Sequence, residues 1–123
     1  MSSHQAFFAK LDFIIIDGTT SVTGFNIRSG AGNVTTTTNN AHGGDVYGNQ
    51  GSLSYLWEYV SGETATIQTS TNIDTTFSRT KFVNIAQSLT FNGVYRLKVT
   101  DNGTGNIIYG PNCTVSTTHE ESS

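Results

Sequence analysis

Between the turns Asn92-Gly93 and Asp101-Asn102-Gly103, apolar side chains recur at every second position: Tyr95, Leu97 and Val99 share one face, Arg96 and Lys98 the other. Successive side chains of an extended chain point to opposite faces, so the spacing predicts a half-buried strand over Val94 to Thr100. The same alternation places Tyr55, Trp57 and Tyr59 together in Ser54 to Val60, opposite Leu56, Glu58 and Val60. Trp57, Tyr95, Leu97 and Val99 are the predicted structural core.

Weaker patterns fill in the rest. Ala6 to Ile16 carries Phe7, Ala9, Leu11, Phe13 and Ile15 on one face and Phe8, Lys10, Asp12, Ile14 and Ile16 on the other. A strand apolar on both faces near its end is central in a sheet or covered by a partner. Ser21 to Ile27 is expected to direct Phe25 and Ile27 inward. Further strands are expected over Val34 to Thr38, Thr64 to Thr69, Thr75 to Phe82 (with Phe77) and Ile107 to Ser116. Val83 to Leu89 reads as a strand end or a helical turn. Short strands broken by Gly, Asn, Asp and Ser predict an all-β sandwich of about seven to nine antiparallel strands. The expected domain is 6–116, between flexible polar tails at 1–5 and 117–123. A Gly/Thr/Asn-rich stretch at about 39–51 is read as one long loop, the place where a rigid scaffold presents variable contacts.

Composition narrows the functional classes. Only 12% of the 123 residues are charged and the net charge is -3, with six Lys and Arg scattered along the chain. Nucleic-acid binding needs a clustered cationic face, so it is not expected. The start Met1-Ser2-Ser3-His4-Gln5 lacks a basic region, and Phe13 to Ile16 is too short for a signal core or a membrane span. The expectation is a chain made and kept, or assembled, in a cytoplasm, with no membrane partner. The single cysteine, Cys113, alternates with Val115 and reads as a small buried hydrophobe.

Three segments carry a resemblance. Tyr55-Leu56-Trp57-Glu58 resembles the strand with the core tryptophan in the immunoglobulin-like superfamily, nearest to PKD-like and bacterial Ig-like modules. Gly93-Val94-Tyr95-Arg96-Leu97-Lys98-Val99-Thr100-Asp101 resembles its G-x-Y-x-L-x-V-x-D strand, whose Tyr forms a corner with upstream backbone. Tyr109 to Ser116 resembles the closing strand. The inter-sheet cysteines of antibody domains are missing, the turn after the Trp strand reads Val60-Ser61-Gly62-Glu63, and the first 50 residues match no family pattern. The resemblance implies an Ig-like fold and is nearly silent on function. The Gly/Thr/Ser/Asn-rich, cysteine-poor composition is also similar to Ig-like accessory parts of tailed-phage virions. That implies a capsid decoration or tail-associated protein, assembled in the host cytoplasm, with other virion proteins and further copies of itself as partners. The alternative is a carbohydrate-binding or adhesive module at a bacterial cell surface.

Catalytic chemistry finds little footing. No G-x-S-x-G, C-x-x-C or H-E-x-x-H string occurs. His4 and His119 read as solvated tail residues. His42 with Asp45 is a weak pair of metal ligands, and Asp101 to Asn106 is explained by hairpin-turn chemistry before calcium. Glu58 alternates with Trp57 and is expected to face solvent, which leaves no second carboxylate across a sugar. No catalytic residue, cofactor or metal is therefore nominated. The interface candidates are Phe7 and Phe8 in the first strand and Val46 and Tyr47 in the loop, with Tyr47 the best exposed aromatic for a glycan.

Overall fold

Gly, Asn and Asp turns divide the chain into strands of unequal length. The computed structural model describes residues 12–123, and among these it contains β segments and no helix. Six segments are long: β2 (Ser21–Arg28), β3 (Gly32–Thr37), β6 (Leu53–Gly62), β9 (Phe77–Val83), β10 (Ser88–Asp101) and β12 (Cys113–Glu121). Six have two or three residues: β1 (Ile14–Ile16), β4 (Ala41–His42), β5 (Asp45–Tyr47), β7 (Thr66–Ile67), β8 (Asp74–Thr75) and β11 (Ile107–Tyr109). Phe7 and Phe8 lie outside the described residues.

β10 organises the larger layer. One edge pairs antiparallel with β6; the other pairs with β12 along its first half and with β11 at its end. β12 then pairs with β2 in parallel, a departure from the wholly antiparallel expectation. A second layer runs β3-β9-β7, and two ribbons, β1-β5 and β4-β8, complete the strands. The β6–β10 register sets Trp57 opposite Leu97 and Tyr55 opposite Val99, then slips between Val94 and Tyr95, so that Val60 bulges out without a partner.

The alternation places the core where it predicts. Trp57, Tyr95, Leu97 and Val99 are all buried, joined by Val22, Phe77, Cys113 and Val115. Phe77 comes from the second layer and meets the Trp57 ring edge-on at 5.6 Å and the Tyr95 ring at 4.9 Å. These contacts seal the two layers together. Cys113 is fully enclosed, and burial pushes its thiol up to about 11, so it behaves as a small apolar group.

The other half of the interior is polar, and here the sequence expectation fails. The strand predicted to end at Ser116, before a flexible tail, continues to Glu121 with Thr117, His119 and Glu121 all buried. Thr117 meets Arg79 of β9, also buried. Its guanidinium donates to the carbonyls of Glu63, Thr64, Phe91 and Val115 and to Thr117 Oγ1, at 2.8 to 3.1 Å. Thr117 Oγ1 then donates to His119 Nε2 at 2.8 Å, which puts the ring proton on Nδ1. That proton is shared by the Val34 carbonyl at 2.9 Å and Thr36 Oγ1 at 3.1 Å. A buried polar group is tolerated when it is hydrogen-bonded, and this network satisfies each member. His119 is therefore an interior residue, not a solvated one.

Two buried carboxylates tie down connections. Asp101 accepts the N–H groups of Gln50, Gly51 and Gly103 at 2.7 to 2.9 Å, joining the segment before β6 to the β10–β11 hairpin. Glu121 accepts those of Gly30 and Ala86, both at 2.6 Å, joining the β2–β3 and β9–β10 turns.

Two further expectations change. Phe25 and Ile27 point outward, Phe25 being 60% exposed, because Val22, Gly24 and Asn26 take the inward register beside Val115, Thr117 and His119. β2 is an edge strand, and its edge is closed by asparagines. Asn39 both accepts from the Thr23 N–H at 2.9 Å and donates its own N–H to the Thr23 carbonyl at 3.1 Å. Asn26 accepts from the Ile27 N–H and donates across to the Thr35 carbonyl. Finally, the stretch read as one loop at 39–51 contains β4 and β5, each short strand paired with a distant partner.

Candidate docking face

β5 pairs with β1 in the register Ile14–Tyr47, Ile15–Val46 and Ile16–Asp45. Period-two geometry then sorts the ribbon. Ile15 and Val46 pack against the core, with Phe13 beside them, while Ile14, Ile16 and Tyr47 face out. Of the two loop residues expected at an interface, Tyr47 is thus presented to solvent, and Val46 anchors the ribbon that presents it.

β1 comes close to β11 without pairing with it. The register of β11 against β10 turns Ile108 inward and Ile107 and Tyr109 outward, next to Thr100 and Lys98. Beyond Lys98 comes Leu56 of β6. The outward side chains of the ribbon, β11 and β6 are Tyr47, Ile14, Ile16, Ile107, Tyr109 and Leu56, each 42% to 54% exposed. Single exposed apolar residues are ordinary, whereas larger apolar patches mark interaction surfaces.

Charges frame the row. The Arg96 guanidinium lies over the Tyr109 ring, 3.8 Å from its centroid, and Arg96 Nε sits 3.7 Å from Glu58 Oε1. That Nε is shielded from solvent and has no hydrogen-bond partner, so stacking on the ring is what holds the side chain. Glu58 does lie on this outer face, turned away from Trp57 by the pleat.

His42 stands at the edge of the ribbon. Its Nε2 is 3.0 Å from Asp45 Oδ1 and its Nδ1 is 2.9 Å from Asp74 Oδ1. Hydrogen bonds to Asp45, then Asp74, hold the imidazole above its ordinary value, against a small opposing effect of burial. The Asn40 side-chain amide donates to Asp74 and is the main reason that carboxyl stays low. The two carboxylates occupy opposite nitrogens, so they do not converge with the ring on one ion. Among the described residues no group of three or more His, Cys, Asp and Glu is arranged to hold a metal.

Elsewhere, an open hollow of about 240 Å³ lies between Thr64–Thr66 and Ser78–Lys81. It opens where the Tyr95 hydroxyl and Arg79 draw the backbone of Glu63 to Ala65 inward. It is polar and smaller than the ~300 Å³ at which small-molecule pockets begin. The Asp101 turn is also committed: both carboxylate oxygens already accept backbone N–H groups, and these, Gln50 first, keep its carboxyl low.

Tyr47 was legible as an exposed aromatic between glycines. The remainder of the row was not, because Ile14, Ile16 and Leu56 look like core in a one-dimensional pattern and only the pairing shows which face they share. In comparisons with family models, curated proteins and solved structures, nothing matches this chain.

Proposed function

We propose that this chain is a non-catalytic Ig-like module that docks on a protein surface through the apolar row from Tyr47 to Leu56. The row itself carries the reading: aromatic and aliphatic side chains sit on paired strands, framed by Arg96, Lys98, Glu58 and Asp45. The Ig-like assignment is supported by two packed layers, a core Trp57, and a Tyr95 hydroxyl turned back onto Ala65.

The specific role we infer is that of a virion accessory protein, a capsid decoration or tail-associated subunit assembled with its particle in the host cytoplasm. A small face with few anchors gives modest affinity per copy, and a repeating lattice multiplies it. Co-sedimentation with assembled particles tests this. The wild-type chain is expected to pellet with particles, and the Tyr47→Ser/Leu56→Ser variant to stay in solution while unfolding at an unchanged temperature. Equal pelleting of the two, or no pelleting of the wild type, overturns the reading.

A carbohydrate-binding or adhesive role at a bacterial surface is the second reading, favoured by the outward ring of Tyr47. A glycan array on which binding disappears in Tyr47→Ala would establish it in place of the first.

A further inference from the structure

We propose that His42 is a proton-operated latch on the docking face: its imidazolium ties β5 to β8, and loss of one ring proton frees the β1–β5 ribbon that presents Tyr47. The inference rests on the docking reading for its purpose, and on local geometry for its mechanism.

Both nitrogens of one ring face carboxylate oxygens, at 2.9 and 3.0 Å, and the carboxylates come from different strands. A carboxylate only accepts, so both contacts require a donor on each nitrogen, and only the doubly protonated ring supplies two. When one proton leaves, the bare nitrogen presents a lone pair to an anion and that contact turns repulsive. The two carboxylates are not equally placed. Asp74 keeps Asn40 as a second partner, whereas Asp45 has no other side-chain hydrogen bond among the described residues. The strand released is therefore β5. It leaves β4 through Gly43-Gly44, with Gly44 at φ +137°, a backbone only glycine adopts comfortably.

The charged groups that face the ring are Asp45 from β5 and Asp74 from β8. The connection before β2 meets His42 through Thr19, whose N–H donates to the His42 carbonyl and whose hydroxyl accepts the His42 N–H. No cation among the described residues opposes the charged ring. The sign follows. The latch is closed below the ordinary imidazole value of 6.5 and opens as pH rises through the higher value of the folded chain.

The test uses the full chain without a partner. The His42 ring is titrated by nitrogen-detected NMR, and hydrogen exchange of the β1 and β5 amides is read at each pH as a protection factor. Protection is expected to fall roughly two- to fivefold across the His42 midpoint, the range of a partly exposed ion pair. Asp45→Asn and His42→Gln should each abolish that step while leaving β10 protection unchanged. A midpoint at or below 6.5, or ribbon protection indifferent to the titration, or a step that survives in both variants, overturns the latch. Docking is scored separately by the Tyr47→Ser/Leu56→Ser pelleting experiment, so either idea can fail without the other.

Discussion

The Tyr95 hydroxyl holds both peptide groups of Ala65: it accepts the Ala65 N–H at 2.8 Å and donates to the Ala65 carbonyl at 3.0 Å. One phenol thereby supplies both partners that a neighbouring strand would otherwise provide, and fixes where the chain leaves β6 for β7. Tyr95→Phe keeps the ring packing against Phe77 and removes only these two bonds. It should destabilise the chain by about 1 to 3 kcal/mol, the penalty for polar groups left without partners. Tyr95→Ala or Trp57→Ala should lose about 3 to 5 kcal/mol through the cavity as well. Equilibrium urea denaturation measures all three, and a loss under ~1 kcal/mol for the alanine variants would contradict the assigned core.

Arg79 should be the most sensitive polar position. Arg79→Met matches much of the volume but strands the carbonyls that the guanidinium serves, and a loss of about 3 kcal/mol or more is expected. Arg79→Lys should rescue little, since an ammonium cannot reach partners spread across a planar fork. Full stability in the lysine variant would show that charge alone, and not the fork, matters there.

Acid should attack His119 first. Burial, then the nearby Arg79 and Lys81, hold its ring below the ordinary value, and the hydrogen bond to Val34 only partly opposes them. The unfolded chain therefore takes up the proton before the folded chain does, so this contribution is present above about 6.5 and is lost as pH falls. His42 has the opposite sign and gives up its contribution on the alkaline side. Urea midpoints between pH 5 and 7.5 should drop less steeply in His119→Gln than in wild type. An unchanged slope would mean that folding does not lower the proton affinity of His119.

The two carboxylate clamps predict a lower acid transition. Backbone N–H groups, of Gln50 first for Asp101 and of Ala86 first for Glu121, keep both carboxyls below their usual values. Their contribution is present above the unfolded values and is lost as pH falls through the folded ones. Asp101→Asn and Glu121→Gln should each lower the thermal midpoint at pH 7, by an amount that shrinks towards zero near pH 2. A difference that is constant with pH would assign the effect to shape and not to charge.

The contrast between β10 and β12 explains what the sequence could reveal. Tyr95, Leu97 and Val99 announce a buried face because each is apolar. Thr117, His119 and Glu121 repeat with the same period, but polar residues at every second position look like solvent-facing chain. Partners far away in sequence make that face an interior: Arg79 for Thr117, Val34 and Thr36 for His119, Gly30 and Ala86 for Glu121, and no local pattern conveys them. Phe25 and Ile27 fail in the converse way: the alternation of β2 is correct, but its parity is set by pairing with β12. The candidate face was harder still, since its apolar residues come from four strands. Tyr47 alone stood out beforehand.

The asparagine closure of β2 bears on crowding. Bare sheet margins offer unpaired N–H and C=O groups on which a second chain can add as a strand. With Thr23 already occupied by Asn39, that position of the β2 margin cannot add a strand.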